Sequence, residues 1–168
     1  MNYTVLLINV ILGGLLLYSY YFLYNKMKNP RILWGRIKEK YKNLYLLSIL
    51  LATIGYLLML NFVVFRVKNN NNKMHEILSF QIIIILASML WMPLSIRYHK
   101  NKNIIVKFLV IMTLFTVAIA SLGNAVKVSS LIVPKKENMY KINAIVGSLY
   151  LFFHTFVVDF LFWNYNFF

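Results

Sequence analysis

The chain has 168 residues, 61% of them apolar and only 13% charged, where a soluble domain carries roughly 25% charged residues. It has no cysteine, which excludes disulfides, thiolate metal sites and thiol redox chemistry. The net charge of +14 comes from 18 basic and 4 acidic residues; the basic ones lie between or beside apolar runs, so anionic lipid headgroups, not nucleic acid, are the expected partner.

Five apolar runs reach the roughly 20 residues a bilayer crossing needs. They predict an all-α integral membrane protein, one polytopic domain over residues 1–168 with spans at about 4–23, 44–65, 77–96, 104–126 and 142–162. The first run has neither a basic segment before it nor a small-residue cleavage site after it, and reads as a retained anchor. The sequon Asn2-Tyr3-Thr4 falls too close to this span for glycosylation. Asn9 and Gly13 form a small or polar face on span 1 that suits helix packing.

The first loop carries Lys26, Lys28, Arg31, Arg36, Lys38, Lys40 and Lys42. Asn29-Pro30 resembles a helix start, and Leu33, Ile37, Tyr41 and Leu44 then recur at near-helical spacing. A basic amphipathic helix lying in the headgroup plane is expected, with Trp34, Arg36, Lys38, Lys40 and Lys42 as its lipid contacts. The plainer alternative is a solvated loop whose charge only fixes topology. Span 2 offers Ser48 and Ala52 as a packing face. The second loop holds Arg66, Lys68, Lys73 and the run Asn69–Asn72, expected as an exposed turn.

Gln81, Ser88 and Ser95 recur every seven residues along span 3 as a narrow polar seam. Pro93 removes a backbone donor near its end. Five short spans, with the stretch Gln81 to Leu94 ending in Leu90-Trp91-Met92-Pro93-Leu94, resemble the translocator-protein architecture and its third span. The first loop has only Trp34 and Pro30 where that family's tryptophan-rich, proline-containing loop is expected, and the chain is not assigned to it. Thr113, Thr116, Ala120, Gly123 and Asn124 line one side of span 4, and Lys107 near its start is placed to snorkel outward.

Span 5 holds the only aspartate, Asp159, and the only histidine deep in a span, His154. Ionisable groups at that depth are costly and face a bundle interior or a water cavity. On a regular α-helix the two lie about 140° apart, so no pairing is expected. Asn143, Gly147, Tyr150 and His154 make one stripe; Ser148, Thr155 and Asp159 make another, with Thr155 placed to bond Asp159. A candidate intramembrane polar site is thus His154, Asp159, Tyr150, Asn143 and Thr155, against the alternative of polar side chains that merely join helices. Trp91 and Trp163 are expected as interfacial anchors, and the tail from Phe162 to Phe168 at headgroup level.

No metal or cofactor is implied, no phosphate loop is present, and no serine has an evident base partner along the chain. Loops one and three carry 11 Lys and Arg, loops two and four carry 7, which predicts the N-terminus outside and the C-terminus cytosolic. The excess of Asn, Lys, Ile, Tyr and Phe suits an AT-rich genome, such as that of a large DNA virus, an organelle or an AT-rich protist. The expected function is non-enzymatic: an accessory or structural membrane component with membrane-protein partners or a homo-oligomeric state, or alternatively a small carrier or channel built around His154 and Asp159.

Overall fold

The computed structural model describes residues 1–67 and 73–168. Lys68 and the expected turn Asn69–Asn72 lie outside the described residues. The chain is helical: α1 (Tyr3–Lys26), α2 (Glu39–Phe65), α3 (Lys73–Asn101), α4 (Ile104–Ser129) and α5 (Asn138–Phe153). α5 runs on through a wider-wound segment, His154–Trp163, into a last short helix, α6 (Asn164–Phe167). Five helices are long and apolar enough to cross a membrane, the fifth counted over Lys135–Phe167.

The helices close into a ring in the order α1, α3, α4, α5, α2. Three layers of buried side chains fill it. At the end where α2 meets α3 the layer includes Met59, Phe62, Val63, Ile77, Val128 and Ala144. The middle layer includes Ala52, Ile84, Ala87, Val117, Ala120 and Leu151. At the opposite end, Ile37, Tyr45, Val110, Leu114 and Trp163 form the third.

Small residues set the closest approaches. A Cβ on Gly55 of α2 would stand 2.5 Å from the carbonyl oxygen of Gly147 on α5, so the two backbones touch at this crossing. Gly123 packs directly against the Phe80 ring. Gly13 has nothing within 4 Å of where a Cβ would be, so the expected packing face on α1 is corrected: only its Asn9 member is buried against the bundle.

The first loop is not the amphipathic helix its spacing predicts. Pro30–Trp34 forms one 3-10 turn, with the Asn29 side chain accepting from the Arg31 N–H at 3.1 Å. Gly35 then adopts φ +52°, where a Cβ would also collide with the backbone of Asn166 and Phe167. Left-handed backbone ends a helix, and a new one starts only at Glu39. Leu33 and Ile37 are buried in the bundle end, not spread on a surface.

Several of the residues expected at headgroups also make contacts within the chain. Arg36 donates to the Tyr165 carbonyl at 3.2 Å, and its N–H donates to Asn166 at 2.8 Å. These carbonyls end a helix and need donors, and Arg36 supplies them from an exposed position. Trp34 packs edge-on against Tyr45, and Lys42 pairs with Glu39 at 2.6 Å. Lys38 and Lys40 remain exposed.

Trp163 is also corrected, from interfacial anchor to core. It is 1% exposed, stacks on Phe167 at 4.2 Å, meets Trp91 at 5.2 Å and donates its indole N–H to Leu33 at 2.8 Å. The aromatic tail thus clamps the first loop to the bundle.

At the opposite end, Glu76 pairs with Lys127 and Glu137 stands 3.7 Å from Arg66. Lys73 donates to the Ser130 carbonyl and Lys141 to that of Leu131. Asn2 is buried there, with its amide donating to the Val63 and Val67 carbonyls at 2.8 and 3.0 Å. The sequon nitrogen is therefore occupied in holding α1 to the end of α2.

Candidate functional site

The segment His154–Trp163 is wound as a π-helix; the Asn164 N–H reaches back five residues to the Asp159 carbonyl. This wider winding brings side chains at i and i+5 much nearer to one face than α-helical winding, which sets them about 140° apart. His154 and Asp159 are five apart. Their separation is accordingly 3.4 Å, from the imidazole Nε2 to a carboxylate oxygen. The expectation that they do not pair is overturned, because it assumed a regular α-helix.

α2 supplies the rest. Tyr45 donates its hydroxyl to the other Asp159 oxygen and lies edge-on to the His154 ring. Ser48 Oγ is 2.8 Å from His154 Nδ1 and 3.3 Å from the Tyr150 hydroxyl. Tyr45, Asp159, His154, Ser48 and Tyr150 thus form one continuous chain of polar contacts across the α2–α5 interface. His154 and Ser48 are buried, and the Asp159 side chain is 19% exposed.

Of the expected site residues, His154, Asp159 and Tyr150 come together. Thr155 does not join them: its hydroxyl donates to the Leu151 and Phe152 carbonyls, the local bond a helical threonine makes most readily. Asn143 is exposed eleven positions before His154 and lies outside the cluster. Tyr45 was missed, although a tyrosine one turn from Ser48 on the same helix was a visible signal of a polar face.

The arrangement has two chemical capabilities. A carboxylate, an imidazole and three hydroxyls in contact can hold a proton and pass it along the chain. Ser48, His154 and Asp159 also have the composition of a nucleophile–base–acid triad, which corrects the expectation that no serine has a base partner. The imidazole is turned round, with Nδ1 toward the serine and Nε2 toward the carboxylate. Ser48 sits inside α2, where flanking N–H groups are consumed by helical bonds. No backbone pair is free there to stabilise an oxyanion, the largest contribution in acyl transfer.

A second polar network joins α1, α2 and α3. The Asn9 amide donates to Gln81 Oε1 at 2.7 Å and to the Val5 carbonyl at 2.8 Å, while Tyr56 donates to Asn9 Oδ1. Gln81 Nε2 reaches Met59 Sδ at 3.2 Å. With no titratable acid or base except a phenol, this network is interhelical adhesion. A double-mutant cycle of Asn9→Ala and Gln81→Ala should give a coupling of roughly 0.6–1.7 kcal/mol. Additive single effects in an unfolding titration would show that the bond contributes nothing net.

Fold and site together define a closed five-helix bundle, with helices of membrane-crossing length and an acid–base pair, its histidine buried, facing α2 from the continuation of α5. No family model matches the chain, and no curated protein or solved structure is significantly similar to it. Among the described residues no group of three or more metal-ligating side chains is present.

Proposed function

We propose that this protein is a non-enzymatic integral membrane protein that works as a small carrier, binding and releasing protons at the Tyr45–Asp159–His154–Ser48–Tyr150 chain. One observation carries the reading: His154 and Asp159 meet only because this segment abandons α-helical winding. π-Helical turns are rare and concentrate at functional sites, and mere adhesion between helices needs no such departure. The orientation with the N-terminus outside is favoured further by charge. At the α2–α3 end Arg66 and Lys127 face acidic partners and Lys135 and Lys136 stand exposed, whereas Lys28, Lys38, Lys40, Arg97 and Lys100 stand exposed at the other.

The test is proton flux into liposomes carrying a trapped pH dye, with the full chain reconstituted and a potassium diffusion potential imposed. Wild type is expected to conduct above empty vesicles, and Asp159→Asn to lose at least about tenfold. Asn keeps the shape and the acceptor oxygen but cannot titrate. Equal flux in wild type and Asp159→Asn would sink the proposal. Labelling of Ser48 by a fluorophosphonate would replace it with a hydrolase.

The accessory-component reading is second, and α1 supports it. Leu7, Val10, Ile11, Leu17 and Tyr18 are exposed along that helix, a surface that lipid or a partner helix must cover. Absence of flux, with a partner recovered at fixed stoichiometry after mild extraction, would favour it.

A further inference from the structure

Where α1 and α3 end beside the first loop, a groove of about 640 Å³ opens that has no part in the acid–base site. Its wall is apolar, from Leu23, Met27, Ile32 and Ile96, and its rim carries Lys26, Lys28, His99 and Lys100. The apolar wall residues are half-buried, while the rim residues are exposed. Lys26 is held with its ammonium 4.1 Å over the Phe22 ring, which draws its charge back toward the apolar helix.

We infer that this groove binds one anionic phospholipid, with the phosphate at Lys28 and Lys100 and an acyl chain along Leu23 and Ile96. Three features select that occupant. The rim carries three lysines and a histidine beside the neutral Asn29, with no acidic residue, so it complements an anion. The wall beneath is uniformly apolar, which a soluble phosphate would leave uncovered. The groove also sits at the ends of two membrane-length helices, at headgroup level for a lipid of the same leaflet; that placement rests on the membrane reading above. Basic pockets between helix ends are a recurrent headgroup site. Trp34 and Arg36 do not line this groove: Trp34 packs on Tyr45 of α2, and Arg36 bonds the Tyr165 carbonyl of the last helix.

The experiment is native mass spectrometry of the full chain in a mild detergent, titrated with dioleoyl phosphatidylglycerol or dioleoyl phosphatidylcholine. One phosphatidylglycerol is expected to be retained preferentially. Lys28→Gln with Lys100→Gln should weaken it roughly thirtyfold, from about one tenfold step or less per lysine. Lys135→Gln with Lys136→Gln, at the other end of the bundle, should leave it unchanged. Equal retention of the two lipids would overturn the inference, as would equal retention by the Lys28 and Lys100 variant. Displacement by glycerol 3-phosphate at similar concentration would also overturn it, by identifying a soluble-anion site. These outcomes are read without proton flux, so they stand apart from the fate of the carrier proposal.

Discussion

Replacing Gly55 with leucine is expected to prevent the five-helix ring from closing. The reason is backbone against backbone: the Gly147 carbonyl oxygen is 2.5 Å from where a Cβ would stand, and the reciprocal position on Gly147 is equally crowded. A flexible side chain yields to an intruding methyl, but a helical carbonyl does not. Overpacking of an interior costs about 1–3 kcal/mol and more when the backbone must move, so at least about 3 kcal/mol is expected here. The α2–α5 interface would spread, and with it Ser48 and Tyr45 would leave His154 and Asp159. The measurement is the monodisperse fraction in detergent together with the midpoint of a denaturing-detergent titration. Gly13→Leu, where nothing lies within 4 Å, is the matched control and should leave both unchanged. A Gly55→Leu protein as stable as wild type would mean that α2 and α5 cross elsewhere.

Trp163→Ala should be the most damaging truncation at the other end. The side chain is 1% exposed and fills the layer formed with Ile37, Tyr45, Val110 and Leu114. Removing a buried Trp or Phe typically costs about 3–5 kcal/mol, through lost contacts and the cavity left behind. Here the loss includes the stack on Phe167, the contact with Trp91 and the indole bond to Leu33. Trp163→Phe keeps most of the ring and gives up the bond, and should cost about 1 kcal/mol beyond its volume change. Limited proteolysis in the first loop provides the second readout. Cleavage near Gly35 should rise sharply in Trp163→Ala and slightly in Trp163→Phe. Unchanged cleavage in both would show that Arg36 and the Gly35 turn hold the loop without the indole.

Both predictions concern contacts that the sequence did not announce. Each apolar run is hydrophobic nearly all round, so periodicity names a helix without naming its buried face. Gly147 was visible only as part of a polar stripe, and Gly55 carried no signal until α2 and α5 were seen to touch. Trp163 beside an aromatic tail looked like an interfacial residue, because composition does not distinguish a tryptophan facing lipid from one folded under its own loop. The error over the first loop had a similar origin. Leu33, Ile37, Tyr41 and Leu44 do have helical spacing, but one positive-φ glycine among them stops the helix.

The sequence by itself determined that five helices of membrane-crossing length would form, since runs of some 20 apolar residues satisfy their backbone only as helices where water is scarce. It also marked His154 and Asp159 as the costly groups worth finding, because the chain holds a single aspartate and places it among apolar residues. Only the tertiary structure decided that they meet. Their pairing depends on a π-helical winding that no α-helical wheel represents, and on Tyr45 and Ser48, which lie 114 and 106 positions away from the residues they touch. A local pattern fixes how often a side chain returns to one face. It does not fix which distant helix that face will meet, and in this protein the meeting creates the site.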